Sequence, residues 1–327
     1  MRAVRIREPG GPEVLQVGEV QRPEPGPGEI RVRVRSAGVN RADLLQRRGL
    51  YPPPPGWPAD VPGLEFAGEV EAIGEGVDAW GPGDRVMGLV GGGSYAEYVV
   101  VHQREAIPIP DGLSWETAAA VPEVFVTAHD ALFTRGRLVQ GETALVHAVG
   151  SGVGTAALQL GQAAGATVIG TSRSRWKLDR ATELGLDVAI HPNDGSFADA
   201  VRDATGGSGV DVILDLVGGG YLAGNLASLA RLGRLVVVGL TGGASAELDL
   251  GTVLRERLTI VGTSLRTRLF EEKVAAVQAF ARDALPLLTE GQIQPVMDET
   301  FPMEAAADAH RRMEANQNFG KIVLVWD

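Results

Sequence analysis

Residues 1–122 carry their apolar positions in short runs, at 14–19, 30–36, 68–73, 85–89 and 95–101. Gly/Pro turns such as Pro25-Gly26-Pro27-Gly28 and Gly81-Pro82-Gly83-Asp84 break them. Short strands at this spacing predict a compact, partly closed barrel. Two short helices interrupt the strands, at 40–48 and at 114–120, the second opened by Ser114 as a cap. From Thr143 the rhythm changes. Strand-like runs at 144–147, 167–170, 188–190, 210–215, 235–238 and 258–261 alternate with helical patterns at 154–164, 175–184, 197–205, 221–229 and 250–255. Six strands with short crossovers predict an α/β, doubly wound parallel sheet in the order 3-2-1-4-5-6. A longer helix at 271–288 and a last strand at 321–326 follow, and the strand is expected to return to the first domain. The expected organisation is therefore one domain from 1–122 with 264–327, a second from 123–263 inserted in it, and a cleft between them.

The chemistry concentrates at the first strand of the second domain. Ala144-Leu145-Val146 runs into Gly150-Ser151-Gly152-Val153-Gly154, which opens a helix with Leu158 and Leu160 on its apolar side and Gly165 at its end. Strand, glycine turn and helix in that order hold a dinucleotide pyrophosphate. The glycines let the backbone approach, and the helix N-terminus offers unbonded N–H groups and a partial positive charge. NAD enzymes usually place an acidic side chain about 20 residues beyond the turn, on the ribose 2′-hydroxyl. That count lands on Ser174, and 168–175 (VIGTSRSR) contains no Asp or Glu. Ser172, Arg173 and Lys177 are instead suited to a 2′-phosphate, which predicts NADPH over NADH. The competing reading makes Arg173 and Arg175 solvated helix-start residues.

Composition narrows the alternatives. A net charge of −11 argues against a nucleic-acid partner, and the absence of cysteine removes disulfides, thiolate metal sites and a Cys nucleophile. The start, MRAVRIREPGG, has no apolar core of signal-peptide length, and no 18-residue apolar run occurs, so a cytoplasmic protein without membrane attachment is expected.

Several segments together resemble the zinc-free quinone oxidoreductase branch of the medium-chain dehydrogenase/reductase superfamily. They are GVNRADLLQRRGLYPPPP (38–55), GLEFAGEVEAIGEGV (63–77), GDRVMGL (83–89), GSYAEYVVV (93–101), HAVGSGVGTAALQL (147–160) and MEANQNFGKIVL (313–324). The nearest likeness is to p53-inducible quinone oxidoreductase-like proteins, through SLRTR (264–268) and the HRRMEANQNFGKIVL ending. The resemblance implies a GroES-like catalytic domain around the dinucleotide-binding one. It also implies no zinc: Asn40 stands where zinc enzymes carry a first Cys, and Gly63-Leu64-Glu65 replaces their Gly-His-Glu. Many members place a tyrosine after the third sheet strand; its counterpart here is Pro192, leaving that contact to His191 or to Ser172, Arg173 and Lys177 alone.

The expected reaction is zinc-independent hydride transfer from NADPH to a quinone, with reduction of an activated C=C in an enone or enoyl thioester as the alternative. A non-catalytic NADPH-binding protein is the third reading. Asn40 could hydrogen-bond an acceptor carbonyl or the nicotinamide ribose, against a plain turn-forming asparagine. Tyr51 could donate to the developing oxyanion, against a packed loop aromatic, with water as the other proton source. Pro52–Pro55 would make an extended cleft wall. Gly239, Leu240, Ser264, Leu265 and Arg266 follow the fifth and sixth strands, at the carboxyl edge where such sheets bind ligands. Ser151 stands where a glycine is common. The resemblance adds Thr127 beneath the nicotinamide and Asn318 as a cofactor contact, and treats Lys321 as structural. The sixth strand, with its apolar and β-branched 258–262, is expected to join its copy in a two-fold homodimer.

Overall fold

The computed structural model describes residues 1–192 and 196–327. They form two compact units: Met1–Val126 with Leu265–Thr289 and Pro295–Asp327, and Thr127–Ser264 with Glu290–Gln294. The short 290–294 segment belongs to the second unit because the Gln159 amide clamps Gln294, donating to its carbonyl and accepting from its N–H, both at 2.8 Å.

The first unit begins with β1 (Arg2–Ile6) and β2 (Leu15–Glu19), an antiparallel pair, and continues through β3 (Glu29–Val39), α1 (Arg41–Arg47), β4 (Glu65–Ile73), β5 (Arg85–Leu89), β6 (Tyr98–His102), β7 (Ala106–Pro108) and α2 (Trp115–Ala119). Ser114 caps α2 by accepting from the Thr117 N–H. Then comes α3 (Pro122–His129), with proline at its first position, where a missing N–H costs nothing. A π-helical stretch, Asp130–Arg135, follows it.

The second unit holds β8 (Thr143–Val146), α4 (Gly152–Ala163), β9 (Thr167–Thr171), α5 (Arg175–Glu183), β10 (Val188–Ile190), α6 (Phe197–Ala204), β11 (Val210–Asp215), α7 (Leu222–Ser228), β12 (Leu229–Val237), α8 (Leu250–Glu256) and β13 (Thr259–Gly262). All its strands are parallel, in the order β10-β9-β8-β11-β12-β13, which is the 3-2-1-4-5-6 order expected from the sequence. Leu145, Ile169, Val201, Ile213 and Leu235 form its core. β12 begins six residues earlier than the apolar run implies, because the chain passes from α7 straight into extended backbone and accommodates Leu232 at φ 68°.

The chain returns through α9 (Phe270–Asp283), α10 (Leu285–Thr289), β14 (Met297–Pro302), α11 (Ala306–Glu314) and β15 (Lys321–Val325). The expected single helix at 271–288 is thus two, divided at Ala284, with Pro286 in the first turn of the second. β15 lies between β14 and β3 in a seven-stranded sheet, β14-β15-β3-β4-β5-β7, with β6 also on β3. Ile30, Val32, Val34, Phe66, Val70, Val99, Ile322 and Leu324 fill its core. No helix among the described residues is long and apolar enough to cross a membrane.

Candidate active site

In the second unit the turn between β8 and α4 is built for close approach. Ala148 takes a left-handed conformation, φ 51°, and a Cβ at Gly154 would run into the Ala148 carbonyl and the Val149 backbone. Glycine there lets the helix sit down on the turn. Ser151 caps the helix, its Oγ accepting from the Gly154 N–H at 3.0 Å. That leaves the N–H groups of Gly152 and Val153 without partners among the described residues, at the positive end of a twelve-residue helix. Such a terminus fits an anionic pyrophosphate. Behind it a buried chain ties three strand ends together. Thr171 Oγ1 and Asn225 Oδ1 lie 2.8 and 2.7 Å from the two His147 ring nitrogens, and Asn225 Nδ2 donates to Asp215 at 3.0 Å. Since Oδ1 can only accept, His147 donates from Nε2 and takes the Thr171 hydroxyl on Nδ1. Burial pushes the His147 imidazole down, so it is a neutral strut.

At the end of β9 the Ser172 hydroxyl is buried and accepts from the Ser174 N–H, while Arg173 is exposed. His191 donates from Nε2 to the Arg173 carbonyl at 3.0 Å, which fixes the backbone of this corner. Lys177 is largely buried, with its ammonium 5.3 Å from the centre of the Trp176 ring. Gly239 follows β12, where a Cβ would strike Leu216 backbone; its neighbour Leu240 is exposed. Thr127 is half-buried in α3 and Ser264 follows β13.

In the first unit the sequence-predicted Asn40 lies in a buried charged cluster. Asn40 precedes α1, and its backbone N–H donates to Asp43 Oδ2 at 2.8 Å. Its amide donates from Nδ2 to Glu65 Oε1 at 2.7 Å and accepts on Oδ1 from Lys321 Nζ at 2.8 Å. Lys321 also reaches Glu65 Oε1 at 2.5 Å and the Val39 carbonyl at 3.0 Å, so its three protons are all placed. Glu65 Oε2 accepts the Glu123 N–H at 2.7 Å. Glu65 is 0% and Lys321 2% exposed. Asp43 accepts from the Gly63 N–H at 3.0 Å and from the Tyr95 hydroxyl at 3.4 Å; burial raises its carboxyl to about 6 against the pull of Lys321. Tyr95 continues to His310 Nε2 at 3.3 Å, whose Nδ1 lies 3.3 Å from Arg47. Burial, then Arg47, hold His310 neutral down to about 3.

Tyr51 is half-buried, and its hydroxyl makes no hydrogen bond with a described residue. Arg266 stacks its guanidinium on the Tyr51 ring at 4.9 Å. It also donates to the carbonyls of Tyr51 at 3.1 Å and Gly91 at 2.8 Å, and to Gln46 Oε1 at 2.5 Å. Arg266 therefore grips the Tyr51 loop, and its neighbour Leu265 is buried. Asn318 is buried and donates to the Gly320 carbonyl at 3.0 Å.

Residues 26–111 match the alcohol dehydrogenase GroES-like domain, and residues 152–282 match the zinc-binding dehydrogenase family. A quinone oxidoreductase of Pseudomonas aeruginosa is 35% identical over 317 residues, which cover 97% of each chain. The chain belongs to the quinone oxidoreductase branch of the medium-chain dehydrogenase/reductase superfamily. Two solved structures of relatives are closely similar. Escherichia coli quinone oxidoreductase complexed with NADPH has a TM-score of 0.90 at 29% identity, covering 99% of this chain and 100% of its own. The CurK enoyl reductase has a TM-score of 0.88 at 26% identity, covering 100% and 99%.

Within this branch the sequence reading found the glycine turn, but of the buried cluster it selected only Asn40. Asp43, Tyr95, Glu123 and His310 carry no motif signal, Glu65 enters only as the remnant of the zinc enzymes' Gly-His-Glu, and Lys321 reads as structural. One signal was available. Lys321 is one of only three lysines in an arginine-rich chain, and it opens an otherwise apolar strand, KIVLV.

Proposed function

We propose that this chain is an NADPH-dependent, zinc-independent reductase whose acceptor is a quinone. The observation that carries the cofactor is the unbonded Gly152 and Val153 N–H pair at the start of α4, followed one strand later by Ser172, Arg173 and Lys177 with no carboxylate between 168 and 175. Bound there, NADPH supplies a hydride. Gly152, Val153, Gly154 and the Ser151 hydroxyl hold its pyrophosphate. Ser172, Arg173 and Lys177 take the 2′-phosphate, and Thr127, Gly239, Leu240, Ser264, Leu265 and Asn318 supply the remaining contacts. Asn40 orients the acceptor carbonyl, and Tyr51, held by Arg266, closes on its ring. Positioning is the main task of such a site.

Zinc does not fit the place where zinc dehydrogenases of the superfamily hold it. The Lys321 ammonium sits between the Glu65 carboxylate and the Asn40 carbonyl oxygen, so the local cation is already covalent to the protein. A divalent ion there would meet an amide, an ammonium and a single carboxylate, a poor donor set for zinc.

Quinone is preferred over an activated alkene because of the full-length similarity to the Pseudomonas quinone oxidoreductase; the likeness to CurK supports the enone reading. Steady-state NADPH oxidation with a panel of quinones and a panel of enones separates the two. A kcat/KM at least tenfold higher for the best quinone upholds the reading, and the reverse order transfers it to alkenes. The assembly is a homodimer through β13, an edge strand on which Thr259, Ile260 and Gly262 are exposed, flanked by Leu250 and Leu254 of α8 at 70% and 78% exposure.

A further inference from the structure

The charged cluster of the first unit contains more acids than its cations pair: among the described residues neither Asp43 nor Glu123 has an ion-pair partner, and Asp43 is met by the Asn40 and Gly63 N–H groups and the Tyr95 hydroxyl instead. Lys321 is committed to Glu65, Asn40 and the Val39 carbonyl. Lys273, on α9, is committed to Glu105 at 2.8 Å and to the Leu89 carbonyl at 3.1 Å. Arg266 spends its donors on Gln46, Tyr51 and Gly91. Glu123 has none of them. It lies at the second position of α3, half-buried, and its carboxyl makes no hydrogen bond or ion pair with another described residue. Its own N–H, however, donates to Glu65 Oε2 at 2.7 Å, which places it against a carboxylate that is already ion-paired and 0% exposed.

Two carboxyl groups in one water-poor site cannot both ionise cheaply, and the one without a cation keeps its proton. The groups facing Glu123 are Glu65 on β4 and Asp43 on α1, which disfavour its charge, and Lys321 on β15, Lys273 on α9 and Arg266, which favour it. Burial is the largest effect, the Glu65 charge is next, and together they raise the Glu123 carboxyl to about 8. The helix N-terminus pulls the other way, but it is a weaker influence than burial. Glu123 is thus an acid poised near neutral pH, where a general acid works best. Its backbone N–H and the Asn40 amide bind the two oxygens of the same Glu65 carboxylate, each at 2.7 Å, which brings the Glu123 residue close to the amide assigned to the acceptor carbonyl.

We propose that Glu123 is the proton donor of the reduction. The inference rests on the reductase reading above. The hydride brings the acceptor two electrons and one hydrogen, leaving an oxyanion. The Glu123 O–H bond then breaks, its electron pair stays on the carboxylate, and an O–H bond forms on the reduced acceptor. Water returns a proton to Glu123 before the next turnover. A proton supplied this way replaces both the Tyr51 hydroxyl and the water that the sequence alone left as options.

The test compares wild type with Glu123→Gln, which keeps the shape and removes the proton, and Glu123→Asp. With a saturating quinone, wild-type kcat should be flat below about pH 8 and fall tenfold per pH unit above it. Glu123→Gln should lose about a hundredfold in kcat together with that alkaline limb, with NADPH affinity unchanged by titration, and Glu123→Asp should recover part of both. Infrared difference spectra of the protein without cofactor give a second readout. A carboxylic C=O band should vanish as pH is raised through 8, and should be missing from Glu123→Gln. An active wild type whose alkaline limb survives in Glu123→Gln, or whose infrared band does, overturns the donor role and leaves the reductase reading standing. A wild type that oxidises NADPH with no quinone and no enone overturns the reductase reading and the donor role with it.

Discussion

Replacing Lys321 with methionine keeps most of the side chain's volume and removes one buried positive charge. The consequences follow from its three hydrogen bonds. Glu65 keeps the Asn40 amide and the Glu123 N–H, both at 2.7 Å, but loses the one ion-pair partner it has among the described residues. Val39 O and Asn40 Oδ1 each lose a donor in a region closed to water. Removing one member of a buried pair costs about 3–5 kcal/mol, and an orphaned buried acceptor about 1–3 kcal/mol. These losses share one ammonium and do not add in full, so about 4–5 kcal/mol is expected for Lys321→Met at neutral pH. Urea unfolding followed by tryptophan fluorescence reads the affected unit, since Trp57, Trp80, Trp115 and Trp326 all lie in it. Adding Glu65→Gln to Lys321→Met should recover at least about 2 kcal/mol, because an amide in place of a stranded carboxylate removes most of the penalty. A single variant within about 1 kcal/mol of wild type, or a double variant no more stable than the single, would refute the reasoning that the ammonium is the internal counter-ion of this site.

Arg173→Ala with Lys177→Ala should raise the KM for NADPH at least tenfold and leave that for NADH nearly unchanged; equal losses count against the 2′-phosphate assignment. His310, buried neutral down to about 3, favours folding above its ordinary value of 6.5 and loses that contribution as pH falls through the window between them. Guanidinium titrations should therefore show that His310→Gln becomes relatively more stable than wild type by about 2 kcal/mol between pH 7 and pH 5. Chelator treatment should leave the rate unchanged and elemental analysis should find less than stoichiometric zinc. Light scattering at micromolar concentration should give twice the 34.3 kDa chain mass, and Ile260→Lys should halve it; a wild-type monomer sinks the β13 interface.

The doubly wound sheet was legible because its information is local. Each strand is an apolar run, each crossover helix has its own pattern, and Gly150 to Gly154 can be read in order without knowing what packs on them. The barrel-like domain was less legible where two elements depend on distant partners. β1, RAVRI, has no period-two pattern, its arginines standing three apart, and is a strand because β2 pairs with it. β14, MDETFP, has almost no apolar pattern and is a strand because β15 lies alongside it. The expected strand at 95 begins instead at Tyr98 for a related reason: the Tyr95 backbone is engaged elsewhere, its N–H donating to the Pro62 carbonyl at 3.1 Å and its carbonyl accepting from the Val4 N–H at 2.8 Å.

The charged cluster lies at the far end of this scale. Asp43, Glu65, Glu123, His310 and Lys321 come from five separated elements and share no spacing that a chemical motif would reveal. In isolation each looks like a solvated helix or strand position, which is where charged residues usually belong. Only the pairing of β15 with β3, and of β3 with β4, draws Lys321, Asn40 and Glu65 to one point. Once drawn together, their protonation states are decided collectively. One ammonium can satisfy one carboxylate in a site this dry, and the acids left over, Asp43 and Glu123, are pushed toward their protonated forms. The same arrangement that commits Lys321 to Glu65 and Asn40 thereby leaves Glu123, whose N–H donates to Glu65, without a cation of its own. Chemistry of this kind is written in the sheet register, and no local reading of the residues would assemble it.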